Sequence, residues 1–548
     1  MLKKYTVVIV GGGSAGWMTA AYLSRCLRDR VQITLVESSE VATVGVGEAT
    51  FSTIRVFFDY LGLREEDWMP QCNASYKLAI RFVNWNAERC HFYHPFQRFE
   101  MIDGRSICEW WLKLWKKHGG AFDYACFTVP AICDAQRAPR FMDGHVFDHT
   151  VDAYLQSDDG NKAMLLEGLH TQYPYAYHFD ARLFAKFLAR YSQSFGVRQI
   201  VDDVCRVNQD KNGYITTLET KNHGNIEGDL FIDCSGFRGL LINGALHEPF
   251  VSFTDSLPCD SAVAMQVPYG PDEGINPFTS ATALSAGWVW NIPLYSRVGT
   301  GYVYSSAFLS PCDAEREFRD HLGWRAQGRE TKHIKMRIGR NRRSWVKNCV
   351  AIGLASGFVE PLESTGIFFI QHAIEQLATH FPEKRPGREN VKSFNRSVAD
   401  CMDGVREFLT LHYVASSRAD TPFWAATKND LKVPNELAER LRLWKTRLPT
   451  NRTINTRYHG FESYSYAVML LGLGYRPKRS LPLLDYLEDT KASATFESIQ
   501  KRSEQLVRTL PSMREYLAIK HGERVYRADA MSGTLRTSCP SFDSQGVT

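Results

Sequence analysis

The first forty residues alternate apolar and polar segments in the order of a β-α-β unit. Residues 5–10 (YTVVIV) form a continuous, mostly β-branched run, which is what a strand buried on both faces of a parallel sheet requires. A helical pattern follows Gly16, and residues 31–38 (VQITLVES) form a second buried run. These segments predict an α/β fold with a Rossmann-like core.

Residues 76–85 (YKLAIRFVNW) alternate as a single strand, with Lys77 on the polar face and Leu78 on the apolar face. A lysine on the polar face of a strand is usually solvated. Burial beside a carboxylate would instead favour a neutral, nucleophilic amine. Spacing alone leaves both interpretations of Lys77 open.

Later segments continue to mix helices and strands. Residues 181–196 are amphipathic in the manner of a helix, and buried strands are predicted at 230–234 and 349–356. A long helix over residues 364–381 is expected to begin from a serine cap at Ser364.

Helical patterns dominate after residue 395. We therefore predict a core over residues 1–395, a mostly helical C-terminal subdomain over 396–520, and a poorly ordered tail over 521–548, which is rich in Ser, Thr, Arg and Gly.

Composition excludes several classes of protein. The 548 residues carry a net charge of only +5 and no Lys/Arg run typical of nucleic-acid binding. The 13 cysteines form no CxxC pair or zinc-site spacing, so we expect no metal and a reduced, cytoplasmic compartment. No apolar run approaches the ~18 residues of a membrane helix. The 12 Trp, 24 Tyr and 32 Phe fit either an aromatic core or an aromatic pocket.

A glycine-rich turn between the first strand and the first helix indicates dinucleotide binding. Gly11, Gly13 and Gly16 have G-x-G-x-x-G spacing in the strand–turn–helix context that this fingerprint requires. Glu37 ends the next strand, where an acid can bind a ribose hydroxyl. Because the chain has one such fingerprint, we expect it to bind FAD and to receive electrons from elsewhere.

Two further segments carry candidate chemistry. GWVWNIPL begins at Gly287 and puts Trp288 and Trp290 on one face of an extended segment that Pro293 ends. EPLESTG lies before the long helix and offers a helix N-terminus, which is a potential anion site, beside Glu363. An ordinary capping turn with solvated carboxylates would explain the second segment equally well.

Five segments together resemble the flavin-dependent tryptophan halogenases: GGGSAGWM, GVGEAT, YKLAIRFVNW, GWVWNIP and EPLESTGIFF. The resemblance covers about residues 5–518, and the W-x-W-x-I-P segment separates these enzymes from ordinary flavin hydroxylases. It implies an FAD-binding core of the flavin monooxygenase type. Substrate-pocket segments would be inserted at about residues 86–175, and the helical subdomain would complete the indole site.

The resemblance also implies a role for each matching residue. Lys77 matches the catalytic lysine and Glu363 the essential glutamate, while Thr365 and Gly366 match the halide-binding residues. The implied FAD-binding residues are Gly11, Gly13, Ser14, Ala15, Gly16, Glu37, Gly47, Glu48 and Ala49, the last three in a mobile strap at residues 41–50. The implied indole contacts are Phe51, His94, Pro95, Phe96, Phe461 and Tyr464. Trp288, Trp290 and Pro293 would form an aromatic wall between flavin and indole.

The implied reaction uses reduced FAD and O2 to oxidise chloride or bromide to hypohalous acid, which passes through an internal tunnel to Lys77. Glu363 would polarise the halogen or accept the ring proton, and the position of the indole would select the carbon that reacts. The implied partners are tryptophan and a separate NADH-dependent flavin reductase, and a homodimer remains open.

The expected ring position is C5. Phe461 stands where tryptophan 7-halogenases have a tryptophan, and the aromatic pattern is closest to that of tryptophan 5-halogenases. The alternatives are a peptide-bound tryptophan or another indole, halogenated at C6 or another position, and, more remotely, a flavin-dependent aromatic hydroxylase.

Overall fold

A six-stranded sheet carries the glycine-rich turn. The computed structural model describes residues 4–39, 47–86, 91–118, 120–148, 174–382 and 385–523. The sheet has five parallel strands and one antiparallel edge strand, in the spatial order β10 (Arg198–Val201), β2 (Val31–Glu37), β1 (Tyr5–Val10), β14 (Leu230–Asp233), β23 (Cys349–Ala351) and β22 (Trp345–Val346). This arrangement confirms the predicted α/β fold and its Rossmann-like core.

A seven-stranded sheet forms the second layer and carries the tryptophan pair. Neighbouring strands are antiparallel, except that β17 (Phe278–Ala283) and β5 (Ala79–Val83) are parallel. Their order is β20 (Lys332–Lys335), β16 (Ser261–Val267), β19 (Val298–Tyr304), β18 (Gly287–Pro293), β17 (Phe278–Ala283), β5 (Ala79–Val83) and β6 (His91–Pro95).

Smaller sheets complete the strand structure of the described residues. They are β3 (Glu48–Ala49), β9 (Ala176–Phe179) and β4 (Ser75–Lys77); β11 (Val204–Gln209), β12 (Ile215–Thr220) and β13 (Gly224–Glu227); β15 (Phe250–Ser252), β21 (Gly339–Asn341) and β24 (Gly357–Phe358); and the hairpin of β7 (Met101–Ile102) and β8 (Arg105–Ser106).

Helices cover the sheets and make up most of the C-terminal part. The α-helices of the described residues are α1 (Ser14–Leu27), α2 (Ile54–Leu61), α3 (Glu65–Trp68), α4 (Ile107–His118), α5 (Phe122–Cys126), α6 (Val129–Asp134), α7 (Ala181–Ser194), α8 (Pro311–Leu322), α9 (Gly366–Thr379), α10 (Arg388–Val414), α11 (Pro422–Asn429), α12 (Asn435–Trp444), α13 (Ser463–Gly472), α14 (Thr490–Thr509) and α15 (Met513–Lys520). None of them combines the length and apolar character needed to cross a bilayer.

The hydrophobic core is divided between the two layers. One large apolar cluster lies around α1, which packs against α7 and α9 beside the parallel sheet. A second joins the inner face of the seven-stranded sheet to the C-terminal helices, and includes Phe51, Trp288 and Phe461. The predicted boundary at residue 395 lies inside α10, which runs without a break from Arg388 to Val414.

Two local predictions were wrong. The single strand predicted over residues 76–85 is two strands: β4 pairs with β9 and β5 joins the seven-stranded sheet. The serine cap is also absent. Ser364 has a left-handed backbone (φ 60°), Thr365 is the N-cap of α9, and no side chain caps this helix.

Part of the predicted strap (residues 41–46), part of the predicted insert (residues 87–90, 119 and 149–173) and residues 524–548 of the predicted tail lie outside the described residues.

Candidate active site

The glycine-rich turn has the close backbone packing that a pyrophosphate cradle needs. Gly11 has φ 117°, and a Cβ built there would lie 2.2 Å from the Cys234 carbonyl oxygen. A Cβ on Gly16 would lie 1.9 Å from the Gly11 carbonyl oxygen. Helix α1 begins with Ser14 and Ala15 immediately after this turn, so its first backbone N–H groups and its positive dipole end face the same region.

Glu37 ends β2 beside this turn. A Cβ on Gly12 would overlap its carboxylate, at 1.4 Å from Oε2, and Gln199 donates a hydrogen bond to Oε1. The acid therefore lies where a ribose hydroxyl would reach it.

Gly353 is a further glycine beside this turn, and no sequence pattern indicated it. It has φ 72°, and a Cβ there would lie 2.7 Å from the Cβ of Ala15. A second tight turn therefore packs against the start of α1.

The described part of the predicted strap, residues 47–50, lies next to the end of β18 and pairs with β9. Gly47 has φ 102° and approaches Leu294 just beyond β18, while Glu48 and Ala49 pair with Phe179 and His178 in β9. These glycines and the acid at the end of β2 fit a dinucleotide such as FAD.

Lys77 is completely buried, so of the two interpretations that the spacing left open, the solvated lysine is wrong. Its Nζ donates to Ser364 Oγ (2.8 Å) and to the Thr50 carbonyl (3.1 Å) and lies 5.1 Å from the centre of the Phe96 ring. Burial lowers the pKa of Lys77 to about 7, although the charge of Glu363 opposes this shift. A substantial fraction of the amine is therefore neutral at neutral pH.

Glu363 is equally buried and lies between two histidines. His94 Nδ1 lies 3.1 Å from each carboxylate oxygen, and His412 Nε2 lies 2.8 Å from Oε1. Burial alone would raise the pKa of Glu363, but His94 and His412 together lower it to about 2. The carboxylate is thus held ionised.

The turn between β24 and α9 brings Lys77 and Glu363 together. Ser364 takes the left-handed conformation immediately after Glu363, and its hydroxyl accepts the hydrogen bond from Lys77, 287 residues away in sequence. His412, from α10, completes the environment of Glu363. Sequence reasoning missed Ser364 and His412 as site residues, because no local pattern links them to Lys77.

Aromatic rings pack close to these two residues. Phe51 packs edge-on against Phe96 (5.8 Å between ring centres) and Phe461 (5.3 Å). Phe461 also stacks on Phe408 at 4.0 Å, a residue that the sequence analysis did not select. The remaining predicted indole contacts belong to the same set: His94 and Tyr464 have ring centres 6.2 Å apart, and Pro95 pairs with Ala79 between β5 and β6.

Trp288 and Trp290 are buried side by side on β18, with ring centres 6.4 Å apart. The Trp288 indole donates to Glu360 Oε2 (3.3 Å), whereas Trp290 Nε1 has no hydrogen-bond partner among the described residues. The Trp290 ring instead covers Gly301, where a Cβ would lie 2.2 Å from it. Pro293 ends β18, and its carbonyl accepts a hydrogen bond from Ser75 on β4, the strand that carries Lys77.

Glu360 is a second buried carboxyl group, and it too was missed. Besides Trp288, it accepts hydrogen bonds from the Tyr413 hydroxyl and from the backbone N–H of Cys259 (3.1 Å). Burial raises the pKa of Glu360 to about 7 despite these donors. Glu360 therefore links β18, through Trp288, to α10, through Tyr413.

The N-terminus of α9 has the features of an anion site. Gly366 opens the helix, and a Cβ there would meet nothing within 4 Å. Thr365 Oγ1 is buried and has no hydrogen-bond partner among the described residues. A free hydroxyl and the positive end of a helix dipole fit a halide ion. The described residues hold no group of His, Cys, Asp and Glu side chains suited to a metal.

Comparisons with known proteins agree over nearly the whole chain. A family model described as tryptophan halogenase matches residues 6–169 and 155–489. The tryptophan 6-halogenase SttH of Streptomyces toxytricini is 51% identical over 95% of this chain and 98% of its own, and the 7-chloro-L-tryptophan 6-halogenase KtzR of Kutzneria sp. (strain 744) is 51% identical over 94% and 99%. The solved structure of Tar14, a tryptophan C-6 flavin-dependent halogenase from taromycin biosynthesis, superposes with a TM-score of 0.88 at 50% identity, over 95% of this chain and 100% of that one. The chain therefore belongs to the flavin-dependent tryptophan halogenases.

Proposed function

We propose that this protein uses reduced FAD to install chlorine or bromine on the indole ring of free tryptophan, at C6. The observation that carries the proposal is the pairing of a buried, partly neutral Lys77 with a buried, ionised Glu363 beside an aromatic pocket. Perturbed titratable pairs of this kind are typical of active sites.

The glycine cradle and Glu37 would hold FAD, and Thr365 and Gly366 would hold the halide. When bound, reduced FAD would supply two electrons and two protons, with which O2, a halide ion and one further proton become water and hypohalous acid. The single dinucleotide turn supports a separate NADH-dependent flavin reductase as the source of those electrons.

Lys77 would hold the electrophilic halogen in one of two ways. Hypohalous acid is hydrogen-bonded to the amine, or it transfers its halogen to the amine lone pair: the O–halogen bond breaks as the N–halogen bond forms, and the hydroxide leaves with an amine proton as water. A neutral amine has two N–H groups, and Ser364 and Thr50 accept one hydrogen bond each, which leaves the lone pair available. The surrounding burial keeps this lone pair from water, so hypohalous acid is held close to one carbon of the ring instead of diffusing away.

Glu363 would act chiefly through its charge. Attack on the halogen makes the indole ring transiently positive, and an ionised carboxylate in a dry pocket stabilises that charge strongly. With a pKa of about 2 the same carboxylate is a weak base, so electrostatic stabilisation contributes more than proton uptake.

The relatives favour the C6 alternative over the C5 position expected from the aromatic pattern. SttH, KtzR and Tar14 are all named as 6-halogenases, at 50–51% identity. MibH, named as a tryptophan 5-halogenase, is 27% identical. A change in one or a few side chains around the indole can turn the ring and present a different carbon to the halogen. The halogenated ring position is therefore tested separately from halogenation itself.

Incubation with a flavin reductase, NADH, FAD, bromide and tryptophan tests the proposal. We expect a monobrominated product by mass spectrometry, with an NMR spectrum of 6-bromotryptophan; a 5-bromo product would restore C5.

The Lys77→Ala variant should form no halogenated product and should still bind FAD. Lys186→Ala, on the exposed face of α7, is the control. A product heavier by one oxygen and formed without halide would instead indicate a hydroxylase, and retained halogenation in Lys77→Ala would remove Lys77 from its role.

A further inference from the structure

An ion pair lies beside the indole pocket and is not used in the mechanism above. Arg98 Nη2 and Glu462 Oε1 are 2.6 Å apart, and the two side chains are 38% and 31% exposed. They are 364 residues apart in sequence, so the pair joins the segment after β6 to the residue that precedes α13.

Both residues are neighbours of pocket rings. Arg98 follows Phe96 by two positions, and Glu462 follows Phe461 directly, so each charged residue lies within two positions of a residue whose ring packs against Phe51. Burial raises the pKa of the Tyr464 hydroxyl, and the charges of Glu462, Arg98 and Glu363 all reach it. One buried phenol therefore lies within electrostatic reach of both the ion pair and the catalytic carboxylate.

The backbone on each side of the pair is held in position. The Gln97 side-chain oxygen accepts hydrogen bonds from the backbone N–H (3.0 Å) and hydroxyl (3.1 Å) of Thr128, which anchors the segment next to Arg98. The Glu462 carbonyl accepts from Ser465 N (3.0 Å) at the start of α13. The two charges are thus presented by two different segments, each anchored by hydrogen bonds of its own.

The difference in burial between the catalytic pair and the ion pair would decide how an amino-acid substrate is oriented. Lys77 and Glu363 are buried and must meet the indole ring, so the amino-acid end of tryptophan points toward the half-exposed side. A zwitterion carries a carboxylate and an ammonium within a few ångströms, and an arginine and a glutamate are their matching partners.

We propose that Arg98 and Glu462 bind the carboxylate and the ammonium group of free tryptophan and so select the free amino acid over tryptophan within a peptide. This inference rests on the proposed function. In the free protein each charge partners the other; in the complex the zwitterion lies between them and both charges keep an opposite partner.

Substrates that lack one charge test the proposal. We expect Glu462→Gln to raise KM about tenfold for tryptophan and tryptamine, and to leave indole-3-propionate unchanged. Arg98→Gln should raise KM for tryptophan and indole-3-propionate and leave tryptamine unchanged. Arg316→Gln, which breaks an exposed ion pair on α8, is the matched control and should change none of them.

Calorimetric affinities for the same three ligands, measured without turnover, separate this inference from the proposed function. An equal loss for all three ligands in both variants would mean that the pair only shapes the pocket, and would overturn the inference. Charge-selective binding in a protein that halogenates no indole would support the inference and contradict the proposed function alone.

Discussion

Glu360 and Glu363 lie three residues apart and are both completely buried, yet their pKa values move in opposite directions. Two histidines hold Glu363 ionised, with a pKa of about 2. Glu360 has only neutral donors, and burial keeps its pKa near 7. The charge state of a buried carboxyl group therefore depends on which side chains reach it: the two histidines lower the pKa of Glu363, whereas the neutral donors around Glu360 do not offset its burial.

This contrast predicts opposite pH dependences of stability for the two glutamates. The folded protein keeps the Glu360 proton between pH 4.5 and 7 while the unfolded chain loses it, so this residue makes stability fall as pH rises through that window. Glu363 contributes stability above pH 4.5, which is lost as pH falls toward 2. We expect Glu360→Gln to raise the free energy of unfolding by about 1–3 kcal/mol relative to wild type as pH increases from 5 to 8. We expect Glu363→Gln to lower the free energy of unfolding by a similar amount at pH 7. Urea denaturation across this range measures both; parallel curves for the two variants would contradict the assignment.

The burial of the Lys77 amine lowers the stability of the folded protein. The pKa of Lys77 is about 7 in the fold and 10.5 when solvated, so the unfolded chain binds a proton that the folded one does not, and stability rises with pH between these values. We expect Lys77→Met to be inactive but about 1–3 kcal/mol more stable at pH 7, with the difference shrinking toward pH 10. Lys186→Met on the exposed face of α7 serves as the control for denaturant melts. A Lys77→Met protein less stable than wild type at pH 7 would show that the amine is not penalised by burial.

At the scale of elements, the position of Trp290 depends on the pairing of β18 with β19. Trp290 lies opposite Gly301, and only packing holds its ring because its indole N–H has no partner among the described residues. The absence of a side chain at Gly301 is therefore what sets the position of Trp290.

Gly301→Ala should displace the Trp290 ring, because the added Cβ would lie 2.2 Å from it. We expect a loss of about 1–3 kcal/mol in stability, a changed tryptophan fluorescence spectrum and a lower ratio of halogenated product to NADH consumed. Gly244→Ala, where the nearest atom would be 3.7 Å away, is the control. An unchanged product ratio in a Gly301→Ala protein with altered fluorescence would mean that the wall does not isolate the flavin from the substrate.

At the scale of the whole molecule, the site needs both sides of residue 395. Lys77, Phe51 and Glu363 come from the N-terminal part, whereas His412 and Phe461 come from the C-terminal helices, and one apolar cluster includes residues of both. A chain ending at residue 395 would end inside α10 and expose this cluster.

We expect the fragment 1–395 to bind the dye ANS and to unfold without a cooperative transition, unlike the full chain. The reason is that the apolar cluster shared with the C-terminal helices would be exposed to solvent in the fragment. Thermal unfolding followed by circular dichroism and dye fluorescence provides the measurement. A cooperative melt in the fragment would establish the core as an independent domain.

What the sequence determined by itself is local. The β-branched run of β1, the glycine spacing and the first residues of α1 are contiguous, so short-range sterics decide their geometry, and the predicted strand, tight turn and helix are present. The binding of a dinucleotide at this turn stays a prediction. The five motifs likewise identified the family, and they pointed to Lys77 and Glu363 by resemblance.

Only the tertiary structure decided how these residues can act. Alternation treated Lys77 as part of one half-solvated strand, but β4 and β5 enter different sheets and bury its amine. Ser364 was expected to cap a helix, whereas its hydroxyl accepts a hydrogen bond from Lys77. His412 and Glu360 gained their roles in the same way. Desolvation and charge depend on neighbours hundreds of residues away, and those neighbours are chosen by packing, which no local pattern encodes.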